Sequence, residues 1–567
     1  MIQLPEFCRR SLPADFDAAD PAAAAAVFDE LEARPLEDRA ALETWLADLD
    51  ELLVALREER DRRLVASTCD TRDATAQDAY RTFIETVEPH RRRRTDALDD
   101  KLLGSPFVAE LDRDRLGQFL DAVRARRRLF RKENVALQVE QERYQNDYQR
   151  LIGGTLVSFE GEERPLPRMR VFAQDQDRAR REGAWRAATG RVLQERDRCE
   201  DLFERLVAVR TRMARNAGLP DFEAYRFVEW RRCYTPEDCE RFHAAVEARV
   251  LPLRRELQRA RREALGLAAL RPWDLDVDPA GRPPLRPFEG GGQLVALARR
   301  LLSRVDPLFG ERVAYMERRG LLDLESRPGK APGGYMCDFP EQRLPFIFMN
   351  ASGVQADVNT MLHEGGHAFH VFETRSLEPN FNRGSPTEFA EVASMAMEHL
   401  GLEFAAEVYG EEDARRARRE HLARVIVTFC WVATIDSFQH RIYTRPDHTP
   451  EERRALWLEC HRRFLGDVDH SGLEEAEAYR WHLQGHLFTH ALYYIEYALA
   501  ELGALQVWRN FRRDPAAAVA AYRCGLALGH QRSVPELFRA AGAEFDLGEE
   551  TLGGLMDMVA AEIDRLG

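Results

Sequence analysis

Over most of the chain, apolar residues recur at intervals of three and four against a background of Ala, Leu, Glu and Arg. That period gathers them on one face of an α-helix, so the chain must pack helix on helix. With 567 residues it is long enough for two or more folding units. Its 44% hydrophobic and 32% charged residues are the balance of a packed protein, which excludes disorder as the main state. One amphipathic helix is expected from about Asp112 to Leu151, stopped at Gly153-Gly154, and a charged one from Leu36 to Val65. Thr155–Phe159 and Arg168–Phe172 read as a small hairpin around Gly161. The Pro/Gly-rich stretch Arg327–Gly334 opens a short strand-like region, GGYMCDF followed by Leu344–Asn350.

Lys+Arg is 82 and Asp+Glu 97, a net charge of −15, which argues against unspecific nucleic-acid binding. The arginine clusters Arg91–Arg94 and Arg124–Arg131 are expected to be solvated helix faces paired with acids. Nine dispersed cysteines without a CxxC pair fit a reducing compartment. The N-terminal residues lack the apolar core of an export signal, and the most apolar stretch, Val425–Ile435, is too short to span a bilayer. The expectation is a soluble, cytoplasmic protein with no membrane and no nucleic-acid partner.

Chemistry enters at Asn359–His370, NTMLHEGGHAFH, where His363, Glu364 and His367 form HExxH. Residues i and i+4 share a helix face, so the two imidazoles can hold one Zn²⁺ at about 2.0–2.1 Å each. Glu364 can then face a metal-bound water as general base. Asp357 is the expected N-cap. A catalytic zinc needs a third protein ligand and an open position. The metzincin pattern would require Gly at 370 and His at 373, and His370 and Glu373 stand there instead. The alternative is a glutamate on a following helix, within FNRGSPTEFAEVASMAMEHL. Ser385 can N-cap it, Pro386 fits its first position and Glu388 completes a capping box. Glu391 falls a turn into an otherwise apolar stretch, where a carboxylate must be paired or ligate a metal. Glu398, two turns on, either supports the site or forms an ion pair.

The HEGGHAFH helix followed by Phe389-Ala-Glu-Val-Ala-Ser394 resembles the oligoendopeptidase F and thimet oligopeptidase family of zinc metallopeptidases, with its HExGHAxH and F-x-E-x-x-S signature. GGYMCDF, LPFIFMN, VNTMLHE, WVATIDSFQHRIY, Leu270–Asp276 and Cys233–Val250 resemble the oligoendopeptidase F branch. The likeness runs from about Arg150 onward and is weak in the first hundred residues. It implies Glu391 as third ligand ahead of Glu388 and Glu398, and one zinc per chain. It implies a mainly α, large two-lobed fold with a deep central cleft and a small β-sheet beside the HExxH helix. The expected division is an N-terminal helical lobe with the hairpin, 1–190, and a catalytic zinc peptidase domain, 191–567.

In this family a histidine followed by tyrosines on a C-terminal segment is thought to bind substrate and its oxyanion. By position in WHLQGHLFTHALYYIEYALAELGAL, the resemblance points to His486, Tyr494 and Tyr497. Read without it, tyrosines at helical spacing are ordinarily core residues, and His482, His486 and His490 only imitate a metal face. Tyr493 reads as packing, and His370 as core or support. Gly365 and Gly366 are costly inside a helix, and either a neighbouring backbone or a substrate could require them. Leu344–Asn350 could offer a strand edge to an extended peptide.

The function these residues predict is hydrolysis of internal bonds in short peptides by a zinc-bound water that Glu364 activates. The rivals are a zinc carboxypeptidase of similar helical build, a non-catalytic peptide-binding protein on the same scaffold, and an RNA-binding protein using the arginine clusters.

Overall fold

Aspartates begin many of the helices. In the computed structural model, which describes residues 4–567, Arg39–Cys69, Arg178–Leu193, Phe222–Glu229, Pro307–Arg318 and Pro515–Ala527 each follow an Asp whose carboxylate accepts a first-turn backbone N–H. These caps satisfy donors that a helix start leaves orphaned. Helix accounts for 70% of the residues and strand for 4%, so the fold is mainly α. The arginine clusters are laid on helix faces against acids, among them Arg94 on Asp29 and Glu32, Arg91 on Glu88 and Arg126 on Asp99.

The chain forms two compact units, each assembled from three segments. The first takes the chain up to Arg127, Leu285–Arg418 and Ala500–Phe545; the second takes Arg128–Pro284, Arg419–Leu499 and Asp546–Gly567. The stretch 1–190 is therefore shared between them. The helix expected from Asp112 to Leu151 is two helices, Arg113–Leu129 and Lys132–Gly153. The break is tertiary: Arg131 turns extended, and its guanidinium donates to the carbonyls of Arg128, Phe130 and Ala217. The hairpin is also shorter than expected. Glu160 (φ 53°) and Gly161 (φ 78°) make a two-residue turn, pairing β1 (Leu156–Phe159) directly with β2 (Glu162–Pro165). Arg168–Phe172 lies instead in the 3₁₀ turn Leu166–Gln174.

The first unit holds a three-stranded sheet. β3 (Leu322–Glu325) runs parallel to β5 (Leu344–Ala351), and β4 (Tyr335–Phe339) pairs antiparallel with the other side of β5. All six residues Leu344–Met349 are buried, as a central strand requires. The strand edge sought at Leu344–Asn350 is thus not there, because both sides of β5 are paired; β4 is an edge strand instead. β5 runs into the helix Gln355–Thr374 through Ser352-Gly353-Val354. Asp357 is the third residue of that helix, not its N-cap. Its carboxylate accepts the backbone N–H groups of Ser352 (2.7 Å) and Val354 (3.1 Å), pinning the turn. The apolar stretch Val425–Ile435 sits inside the helix Glu411–Thr444. That helix is long and apolar enough to cross a membrane, but 72% of its apolar window is buried within the protein.

Candidate metal centre

The helix Gln355–Thr374 carries His363, Glu364 and His367, and the helix Thr387–Leu402 carries Glu391. The second helix begins one residue later than expected. Pro386 takes the cap position, no side chain caps it, and the Ser385 hydroxyl is buried without a partner. Glu391 still falls one turn in. Its Oε2 lies 3.4 Å from His363 Nε2 and 3.6 Å from His367 Nε2. One ligand atom from each of the three lies within 4.8 Å of the others. Donors held at about 2.0–2.1 Å on a tetrahedral zinc are roughly 3.3–3.4 Å apart, so this set of two imidazoles and a carboxylate fits that ion.

Two further side chains aim the ligands. Glu398 accepts a hydrogen bond from His363 Nδ1 (2.8 Å), which turns Nε2 toward Glu391. Glu398 thus stands against the outer nitrogen of His363, a contact that is at once an ion pair and an orienting hydrogen bond. Ser394 donates its hydroxyl to Glu391 Oε2 (3.0 Å). Its spacing of three from Glu391 is a helical-neighbour signal that sequence reasoning could have used. His370 lies beside the Phe389 ring in the core, and burial drives its pKa down to about 3.

Two carboxylates face the His363 imidazole. Burial disfavours a charged His363, yet the bonds and charges of Glu391 and Glu398 raise its pKa well above the ordinary value. Burial pushes the Glu391 carboxyl up, but the His363 bond and the imidazole charges bring it down to about 2. His367, lowered to about 4 by burial, is neutral near pH 7. In the metal-free protein a proton on His363 supplies the positive charge that two carboxylates demand; a divalent ion can replace it and leave both imidazoles neutral, as ligation requires. Burial raises the Glu364 carboxyl to about 7, although it accepts the backbone N–H of Met336 on β4.

The paired glycines have different reasons. A Cβ on Gly366 would stand 2.3 Å from the carbonyl oxygen of Ala393 and 2.6 Å from the Ser394 Cα, so this glycine lets the Glu391 helix approach. A Cβ on Gly365 would meet Leu302 at 3.8 Å and the Phe369 ring at 4.0 Å, both ordinary contacts. Gly366→Ala is expected to cost about 1–3 kcal/mol or more by overpacking and to reduce bound metal. Gly365→Ala gains up to about 1 kcal/mol of helix propensity. Thermal unfolding and metal content of the two variants check this; equal behaviour would contradict the close approach.

The other predicted donors lie in the second unit, where the segment is not one helix. A 3₁₀ turn (Arg480–Leu483), the short helix Gly485–Thr489 and a turn precede the helix Ile495–Arg513. Leu492, in that turn, has φ 64°. It is held there by Gln439, whose Oε1 accepts its N–H at 2.6 Å, and by Arg232, which donates to its carbonyl. No periodic signal announces a turn fastened this way.

The turn gathers His486, Tyr494 and Tyr497. The His486 ring centroid is 5.2 Å from Tyr494 and 5.8 Å from Tyr497, and the Tyr497 hydroxyl is 3.4 Å from His486 Nε2. Gln484, which accepts the Trp431 indole N–H (3.0 Å), holds His486 Nδ1 at 2.9 Å. Burial lowers the His486 pKa to about 4, so its ring is neutral near pH 7. Tyr493 stacks on His486. His482 is structural: buried, it is bonded to Glu200 (3.1 Å), and its carbonyl accepts the Tyr148 hydroxyl. His490 meets Thr489.

A family model described as "Peptidase family M3" matches residues 171–555. The chain is 25% identical over 280 residues to "Oligopeptidase PepF" of Bacillus subtilis (strain 168), covering 47% of this chain and 40% of that protein. It is 26% identical over 164 residues to "Oligoendopeptidase F, chromosomal" of Lactococcus lactis subsp. cremoris, covering 28% of this chain and 25% of that protein. These matches span less than half the length of either relative. Among solved structures, PZ peptidase A, determined with an inhibitor, superposes with a TM-score of 0.90 at 25% identity, covering 97% of this chain and 98% of the other.

Proposed function

The chain belongs to peptidase family M3, and from that membership we propose that it is a zinc-dependent endopeptidase cutting internal bonds of short peptides. The observation that carries the proposal is the convergence of His363, His367 and Glu391, with Glu364 following the first ligand on the same helix. These three residues would hold the ion, with Glu398 and Ser394 keeping His363 and Glu391 aimed. Bound there, zinc supplies a Lewis acid that polarises a carbonyl and acidifies water.

The rest of the work falls to side chains. The Glu364 carboxylate takes the proton of the attacking water and returns it to the leaving amine. Its burial suits it to both steps, because a raised pKa lets the carboxyl hold the proton between them. The Met336 N–H keeps it in place, and an extended substrate would add along the edge strand β4. On the family resemblance and their donor chemistry, His486 and Tyr497, with Tyr494, are assigned to the carbonyl oxygen as it gains charge. His486→Ala and Tyr497→Phe are expected to lower kcat by on the order of 10²–10³ with metal content unchanged; variants that lose only binding affinity for substrate would remove that assignment.

The test of the function is a mass-spectrometric digest of end-blocked peptides of increasing length, with and without chelator. Internal cleavage that chelator stops and zinc restores is the expected result. Release of single C-terminal residues, with blocked peptides left whole, would make the protein a carboxypeptidase. Binding without turnover in the zinc-loaded protein would make it a scaffold.

A further inference from the structure

A second cluster of metal-ligand side chains lies wholly within the second unit. The helix Pro236–Arg249 carries Cys239 and His243, and the helix Glu411–Thr444 carries Asp436 and His440. Each pair is spaced by four, so each helix turns two donors to one face. All four residues are buried. His243 Nε2 and His440 Nε2 stand 2.9 and 3.1 Å from the same oxygen, Asp436 Oδ2. Ligand atoms of Cys239, Asp436 and His440 fall within 4.8 Å of one another. The other Asp436 oxygen, Oδ1, is buried with no hydrogen-bond partner. Glu223 is bonded to His440 Nδ1 and turns Nε2 toward the cluster, as Glu398 does for His363. Arg232 lies nearby, but its guanidinium bonds Glu496 (2.8 Å) and the Leu492 carbonyl.

We propose that Cys239, His243, Asp436 and His440 form a second, structural zinc site. Cys239, Asp436 and His440 are the three ligands already gathered, and the His243 imidazole, now bonded to Asp436 Oδ2, would swing from that oxygen onto the ion to close the set of four that a structural zinc takes, with no position left for substrate. Sulfur and imidazole donors suit zinc over magnesium or calcium. Two ligand charges balance a divalent ion, which is what full burial requires. On binding, the thiol proton and the proton that His440 holds between Asp436 and Glu223 leave to solvent. The ion would tie the helix Pro236–Arg249 to Glu411–Thr444 and, through Glu223, to Phe222–Glu229.

Cobalt loading of the full chain tests this, because the His363/His367/Glu391 set contains no sulfur. The expected result is two Co²⁺ per chain and a thiolate-to-cobalt charge-transfer band in the near ultraviolet. The His363→Ala/His367→Ala double variant should keep the band and one ion. Cys239→Ser should lose the band and one ion while keeping the other. A wild-type chain that takes one ion and shows no band overturns the site, as does a band that survives Cys239→Ser. Should Cys239→Ser fail to fold, the wild type and the double variant decide: a double variant without ion or band overturns the proposal.

Discussion

Glu364→Gln is expected to keep its catalytic metal and to lose about 10²–10⁴-fold in kcat, the typical contribution of a positioned general base. Glutamine has nearly the same shape, and its side-chain carbonyl can still accept the Met336 N–H that the carboxylate accepts. The change therefore removes proton transfer and little else. The base works only when ionised, so wild-type activity should rise with pH through the Glu364 pKa. Burial sets that pKa at about 7 without a cation; a divalent charge beside it favours the ionised form, so the acid limb of the loaded enzyme should lie at or below that value. The limb should vanish from the residual activity of the variant. Steady-state kinetics across pH, with metal analysis of the same samples, check both statements; an unchanged kcat would remove Glu364 from the mechanism.

Glu391→Ala is expected to yield a chain with one metal ion fewer than wild type and no peptidase activity. The carboxylate lies 3.4 and 3.6 Å from the two imidazole nitrogens and is the only acidic member of the ligand set. Removing an outer partner of a metal site typically weakens binding 10–100-fold, and removing a ligand should cost more. The variant also leaves the Ser394 hydroxyl without its side-chain acceptor. Elemental analysis after dialysis reads the loss. A variant with full metal occupancy would mean that another carboxylate, such as Glu398, holds the ion.

Much of this centre was legible before any coordinates, because local rules govern it. His363 and His367 share a helix face by spacing alone, and Glu391 stands out as an acid in an apolar stretch. Whether Gly366 faces a backbone or a substrate depends on the distance between two helices, and it faces Ala393 and Ser394. Whether Glu398 reaches either imidazole depends on the same packing, and it meets His363 at Nδ1. The break at Arg131 and the turn at Leu492 override helical periodicity because side chains distant in sequence capture their backbone groups. That the open strand edge belongs to β4 and not to Leu344–Asn350 follows from strand pairing, which composition does not encode.

The amino-acid order by itself determined the helical class, the two imidazoles on one helix face and the acid beside them, because each rests on period and spacing within a turn or two of chain. Only the tertiary structure decided which carboxylate meets those imidazoles, which supports them, and that Cys239 and His243 come to face Asp436 and His440 almost two hundred residues away. Such meetings are set by how helices pack across the unit, where contacts distant along the chain choose among arrangements that local propensity leaves equal.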